Sequence, residues 1–199
     1  YKEIFPLLKE NKVWLGNNCK VNGGAMFFEI PENIANLEQV REIKTNESGK
    51  KVYVTRVQGV RWFTNLDHGR RHQPLPLMTK AEVIKFVTKK PFEKYDNYDA
   101  IEVPLVKNIP SDYSGVMGVP VSILDKYSPE QFKIVGMCEN LDLYKQKTKV
   151  YTSAECKQAY LDKFGKKGTY DLNASGVVTR NGLLEKVYQR VLIKHKKII

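Results

Sequence analysis

The sequence predicts an α/β protein, and three observations carry that expectation. A helix-like opening over residues 1–11 runs into the apolar stretch Lys12-Val13-Trp14-Leu15-Gly16, and helix followed by buried strand is an α/β signature. Strand signals then crowd residues 12–66 and return near the end of the chain. Between them Thr79-Lys80-Ala81-Glu82 is a capping box, in which the Thr79 hydroxyl accepts from the Glu82 amide and the Glu82 side chain reaches back. Taken as a fragment, the chain reads as α+β.

In order, the asparagine- and glycine-rich stretch 17–24 predicts a loop, and residues 25–30 a strand stopped by Pro31. Residues 32–41 read as a short surface helix. Glu47-Ser48-Gly49-Lys50 reads as a hairpin turn between strands at 41–45 and 51–57. The strand pattern over 51–66 is interrupted at Gln58-Gly59, where a bulge is expected. From Gly59 onward Val60, Trp62, Thr64 and Leu66 share one side, and Arg61, Phe63 and Asn65 the other. Trp62 and Phe63 are expected in the core. The helix begun at Thr79 extends to about Val87. Ser128-Pro129 starts one helical turn and 133–137 is a strand. Residues 152–164 predict a helix, Gly165-Lys166-Lys167-Gly168 an exposed basic turn, and 187–194 an alternating strand with Arg190 and Lys194 on one face.

Hydrophobic content of 42% supplies a core. No apolar run approaches the ~20 residues that a membrane-spanning helix needs, so no membrane partner is expected. Cys19, Cys138 and Cys156 are too far apart for a disulfide framework or a zinc pattern, so a reducing cytoplasm is the expected compartment. The net charge of +11 is zoned: residues 1–92 hold 16 Lys/Arg against 9 Asp/Glu, residues 93–142 hold 4 against 9, and residues 143–199 hold 13 against 4. Clustered cations favour a polyanion, because they release counterions from phosphates. The first residue is Tyr1 in a helix-like segment with no start signal, which reads as a piece of a longer protein.

Arg70, Arg71 and His72, in the turn after the Gly59 strand, suit phosphate or base contacts. His68 and His72 lie four apart but flank Gly69 in a turn, with no third ligand near, so no metal site is expected. Lys145, Lys147 and Lys149, if extended, form a row of ammonium groups about 7 Å apart. Tyr95, Tyr98 and Tyr113 read as half-buried packing residues rather than base-stacking groups. Gly115 and Gly118 lack the strand–Gly-rich–helix context of a phosphate cradle and read as a tight turn.

Several blocks resemble one family. Lys9-Glu10-Asn11-Lys12-Val13-Trp14-Leu15-Gly16, Arg61-Trp62-Phe63-Thr64-Asn65-Leu66-Asp67-His68, Tyr95-Asp96-Asn97-Tyr98-Asp99-Ala100-Ile101, the passage from Ile109 to Pro120, and the passage from Leu124 to Phe132 are similar, in this order, to the C-terminal part of the EcoRI-type adenine-specific DNA methyltransferases. The tail from Arg190 to Lys196 is similar too, and residues 17–58 and 139–180 match loosely.

The resemblance implies transfer of a methyl group from S-adenosylmethionine to adenine N6 in a short site on double-stranded DNA, with the base taken out of the duplex. The family's Asn-Pro-Pro-Phe motif and Gly-containing cofactor loop do not occur in this sequence. They are expected upstream of Tyr1, in a missing N-terminal catalytic half. No catalytic residue, no metal ligand and no cofactor site is therefore expected in this chain, which alone would be inactive.

Residues 1–92 would supply late strands and a helix of a methyltransferase-like sheet with a strand-rich insertion, Val13–Leu15 and 60–66 among them. Residues 93–199 would form a β-rich target-recognition region. Arg70, Arg71, Lys145, Lys147, Lys149, Lys166, Lys167, Arg190 and Lys194 would hold phosphates; Asn65, His68 and His72 are the candidate base contacts. The alternatives are a self-contained nucleic-acid-binding module and, more remotely, a metal-dependent nuclease using Asp67, His68 and His72.

Overall fold

The opening residues form helix α1 (Ile4–Lys9), which buries Phe5 and Leu8 and stops where Asn11 takes a left-handed conformation. Strand β1 (Trp14–Leu15) follows, then β2 (Gly24–Ile30), β3 (Val40–Thr45), β4 (Lys51–Val60) and β5 (Phe63–Thr64). In this computed structural model, which describes residues 3–34 and 40–197, the chain divides into two units. One is Leu15–Thr64; the other joins the residues up to Trp14 to those from Asn65 onward. Hydrogen bonds from Leu75 to Gln131, from Ser111 to Met78 and from Lys80 to Asp112 bind the stretch before residue 92 to the stretch after it.

In the smaller unit β2, β4 and β3 make an antiparallel sheet in that spatial order. The hairpin at 46–50 is as the sequence predicts: the Asn46 side chain accepts from the amides of Ser48 and Lys50, and Gly49 takes positive φ. The expected bulge is also present. Register runs from Gly24↔Val60 to Met26↔Val57, which leaves one extra residue on β4, and Gly59 sits there at φ +68°. Gly23 faces it so closely that an added Cβ would lie 2.5 Å from the Gly59 backbone, so glycine is required at this crossing.

The expected strand over 60–66 is broken. The Arg61 guanidinium turns back to the Val21 carbonyl at 2.7 Å, and β5 begins only at Phe63. Trp62 is 45% exposed and lies over Gly16 rather than in the core; Phe63 is half-buried. Of the expected surface helix at 32–41, Glu32–Ile34 is one helical turn and Val40 already belongs to β3. Residues 35–39 lie outside the described residues.

The larger unit contains a short helical turn at Gly69–His72 and helix α2 (Lys80–Glu82), which widens into a π-helical turn over Val83–Thr88. Thr79 and Glu82 form the expected capping box. Then come β6 (Ala100–Glu102), β7 (Val116–Pro120), β8 (Phe132–Met137), helix α3 (Ser153–Phe164), β9 (Val177–Arg180), β10 (Leu183–Lys186) and β11 (Arg190–His195). The main sheet has the order β6-β7-β11-β8, with β6 parallel to β7 and β11 antiparallel to both neighbours. It is a mixed sheet in a mixed α/β fold.

Because β11 is central, it does not alternate as expected. Val191, Leu192 and Ile193 are all buried, and only Lys194 is exposed. Strands β9 and β10 are joined by Asn181-Gly182, both at positive φ, the two-residue turn that matches strand twist. Tyr95, Tyr98, Cys138, Val178 and Leu192 pack together in one cluster, and Tyr151, Cys156, Ala159, Leu172 and Val177 under α3 in another.

Candidate nucleic-acid interface

The turn after Asn65 gathers charge inward. Arg71 lies 3.4 Å above the Trp14 ring and is only 9% exposed. Its guanidinium donates to Asp67 Oδ1 at 3.2 Å and to Asn11 Oδ1 at 2.6 Å. His72 is held by two carboxylates, with Nε2 2.9 Å from Asp67 and Nδ1 2.7 Å from Glu130. These hydrogen bonds, Asp67 first, raise the His72 pKa above its ordinary value. The bond to His72 likewise holds Asp67 below the usual carboxylate range. Glu130 feels some burial, which alone would raise it, but the bond to His72 leaves it lowered. Both terminal guanidinium nitrogens of Arg71 and both ring nitrogens of His72 are thus bonded to acceptors within the protein. Asn65 is exposed, and His68 and Arg70 are half-buried.

The lysine row at 145–149 does not form. Asp142 Oδ1 accepts from the amides of Gln146 and Lys147, and Lys145 takes a left-handed conformation, so the segment is a turn. Lys147 is half-buried; its ammonium donates to the carbonyls of Asn140 and Asn173, both at 2.9 Å, and burial lowers its pKa. Lys149 pairs with Asp96 at 2.8 Å and sits over the Tyr151 ring. Lys145 alone of the three is exposed without such a partner among the described residues.

Arg190 is likewise withdrawn. It opens β11 at 8% exposure, with Nη2 2.6 Å from Glu102, itself 4% exposed. The Tyr95 hydroxyl donates to the other oxygen of the same carboxylate. Burial beside this group pushes the Cys138 thiol up to about 12, so it is no nucleophile. Lys194, four residues on, faces solvent.

Lys166 and Lys167 stand as the sequence predicts, in an exposed turn closed by Gly165 at φ +64°. Among the described residues neither has an ion-pair partner. The turn caps α3, whose start is a second capping box between Thr152 and Glu155. That Thr-x-x-Glu pattern and the Asn181-Gly182 turn are both signals legible in the sequence. Beside the turn lies a ring cluster that no local sequence pattern announces. Tyr160 lies 4.6 Å from Phe164 and 6.2 Å from Tyr170, with Phe164 5.9 Å from Tyr170.

The two glycines weighed as a phosphate cradle are packing glycines. An added Cβ at Gly118 would strike the Tyr95 ring, and at Gly115 the Tyr113 ring. They clear space for tyrosine rings. Tyr95 and Tyr98 are buried rather than half-buried. An open groove of about 460 Å³ beside β8 is lined by Phe5, Met137, Leu141, Leu143 and Tyr144, with Glu139, Asn140 and Gln189. Its Glu139 carboxylate accepts from the Leu143 amide. Among the described residues no group of three or more His, Cys, Asp or Glu side chains is placed to hold a metal ion, and no helix is long and apolar enough to cross a membrane.

The model of the adenine-specific methyltransferase EcoRI family matches residues 1–196, and the chain belongs to that family. It is similar to Type II methyltransferase M.EcoRI of Escherichia coli, 41% identical over 142 residues, which are 71% of this chain and 40% of that protein. Type II methyltransferase M.MpnI of Mycoplasma pneumoniae is 36% identical over 70% of this chain and 41% of its own length. Type II methyltransferase M.MgeORF184P of Mycoplasma genitalium is 32% identical over the whole chain and 54% of its own length. The chain thus spans about half, or less, of the relatives it matches. No solved structure matches it.

Proposed function

We propose that this chain is the DNA-recognising part of a site-specific methyltransferase that moves a methyl group from S-adenosylmethionine to adenine N6. The observation that carries the reading is the family match over residues 1–196 of a chain whose sequence contains no Asn-Pro-Pro-Phe motif. The chain's own work is then binding and orientation, with methyl-transfer chemistry supplied by residues outside it. Lys145, Lys166, Lys167 and Lys194 hold phosphates, together with Arg70. Asn65 is the first candidate for a base contact, its amide suited to the N6/N7 edge of adenine, and His68 the second. Arg71, His72, Lys147, Lys149 and Arg190 are instead bonded to the protein's own acceptors.

The test is a pair of titrations on the 199-residue chain. Duplex DNA is expected to bind with an affinity that falls steeply with salt, by about 0.9 log units per log unit of salt for each phosphate neutralised. S-adenosylmethionine is expected to give no binding heat. Salt-independent or absent DNA binding overturns the DNA assignment, and cofactor binding overturns the division of labour.

A further inference from the structure

The basic turn carries an aromatic side chain that packing leaves half outside. Phe164 ends α3 and is 48% exposed. The core beneath α3 is built from Tyr151, Cys156, Ala159, Leu172 and Val177, with Tyr170 and Leu184 packed against it, and Phe164 is not among them. The loop that follows closes over Tyr160, not over Phe164: an added Cβ at Gly168 would lie 2.3 Å from the Tyr160 ring. Tyr160 and Tyr170 thus hold Phe164 from behind and leave part of its ring to solvent.

The surroundings say what chemistry would cover it. From Lys163 to Tyr170 the sequence has three lysines and no acid. Lys163 is anchored by Glu185 at 3.1 Å, with its ammonium 5.8 Å from the Phe164 ring. Lys166 and Lys167 are exposed and unpaired among the described residues. An apolar protein surface would leave these ammonium groups without partners. A nucleotide satisfies both halves, offering a π face to the ring and phosphates to the lysines. Bases inside an intact duplex have both faces covered by neighbours. The ring can reach a base only where the stack is open.

We propose that Phe164, backed by Tyr160 and Tyr170, is a stacking site for an unstacked base in DNA, with Lys166 and Lys167 gripping the flanking phosphates. This rests on the DNA-binding reading above. The test compares a perfect duplex with the same duplex carrying a single-nucleotide bulge of 2-aminopurine, by fluorescence anisotropy and by the base's own emission. The wild-type chain is expected to prefer the bulged DNA by roughly fivefold or more, the low end of what base–aromatic stacking contributes, and to quench the emission. Phe164→Leu, which keeps apolar bulk but loses the ring, should abolish the preference and the quenching while binding perfect duplex within about twofold of wild type. Phe164→Trp should restore both. Equal binding of the two duplexes by wild type, or a preference that survives Phe164→Leu, overturns the proposal. Failure to bind either duplex would overturn the DNA reading itself, a distinguishable result.

Discussion

The turn Gly69–His72 and the turn at 165–168 each crowd basic side chains into four residues, and the protein uses them in opposite ways. In the first, Arg71 is stacked on Trp14 and bonded to Asp67 and Asn11, and His72 is clamped by Asp67 and Glu130. In the second, Lys166 and Lys167 face solvent around a half-exposed Phe164. The difference lies in acceptors within reach. Asp67, Asn11 and Glu130 converge on the first turn from three parts of the chain, whereas Glu185, which pairs with Lys163 just before the second, is shared with Arg180. Positive charge stays at the surface where the fold provides no internal sink for it.

Mutations that break this contrast should have effects ordered by burial. Arg190 is its extreme case, a cation expected at the surface and found in the sheet. Arg190→Met strands the buried Glu102 carboxylate and should cost about 3–5 kcal/mol in urea denaturation, because an unpaired buried charge is far costlier than a lost surface pair. Arg190→Met with Glu102→Leu should recover most of that loss. If the single variant is within about 1 kcal/mol of wild type, the pair is not the internal sink described.

Arg71→Ala comes next. It removes the cation over Trp14 and leaves the Asn11 side chain without its donor, an expected loss of about 1–3 kcal/mol. DNA affinity of the folded protein should not change. Lys166→Ala combined with Lys167→Ala should do the reverse. Stability should stay within about 0.5 kcal/mol of wild type, and the salt slope of DNA binding should fall by roughly 2. A weakened slope in Arg71→Ala with an unchanged one in the lysine pair would exchange the roles assigned to the two turns.

What the sequence made legible was local. The Thr79–Glu82 box, the hairpin at 46–50 and the Gly59 bulge each depend on a few adjacent residues whose chemistry allows one geometry. The partner of a charged side chain is not local. Arg71 meets Asn11 from 60 residues away and Arg190 meets Glu102 from 88. Alternation in 187–194 looked like a half-exposed strand, because a central strand covered on both faces is not distinguished by its charged first residue. The row at 145–149 was legible only if extended, and the Asp142 carboxylate, by capping two amides, folds it instead. Of the candidate site, the exposed turn at 166–167 was readable. Phe164 was not, since nothing in the sequence says that Tyr160 and Tyr170 would leave it half outside.

The gentlest probe of the contrast is pH, which acts on His72 and leaves the lysines charged. The His72 pKa is raised in the folded protein, so its contribution is full below about pH 6.5, the ordinary histidine value. It is lost as pH rises through the raised folded value. Asp67 and Glu130 are lowered, so their contributions are present above the ordinary carboxylate range and fade as pH falls through their folded values. The clamp is thus strongest in mildly acidic solution, with His72 protonated and both carboxylates ionised. NMR titration of the His72 ring should show a midpoint above 6.5, moving down in Asp67→Asn and, by less, in Glu130→Gln, because the bond to Asp67 is the larger cause. Glu130 lies 58 residues from His72, so losing the clamp at alkaline pH should loosen the first turn, seen as faster amide exchange at Arg70–His72, without affecting exchange at Lys166 and Lys167. A His72 midpoint at or below 6.5 would mean the imidazole is not held by the two carboxylates, and that the first turn is more like the second than its geometry indicates.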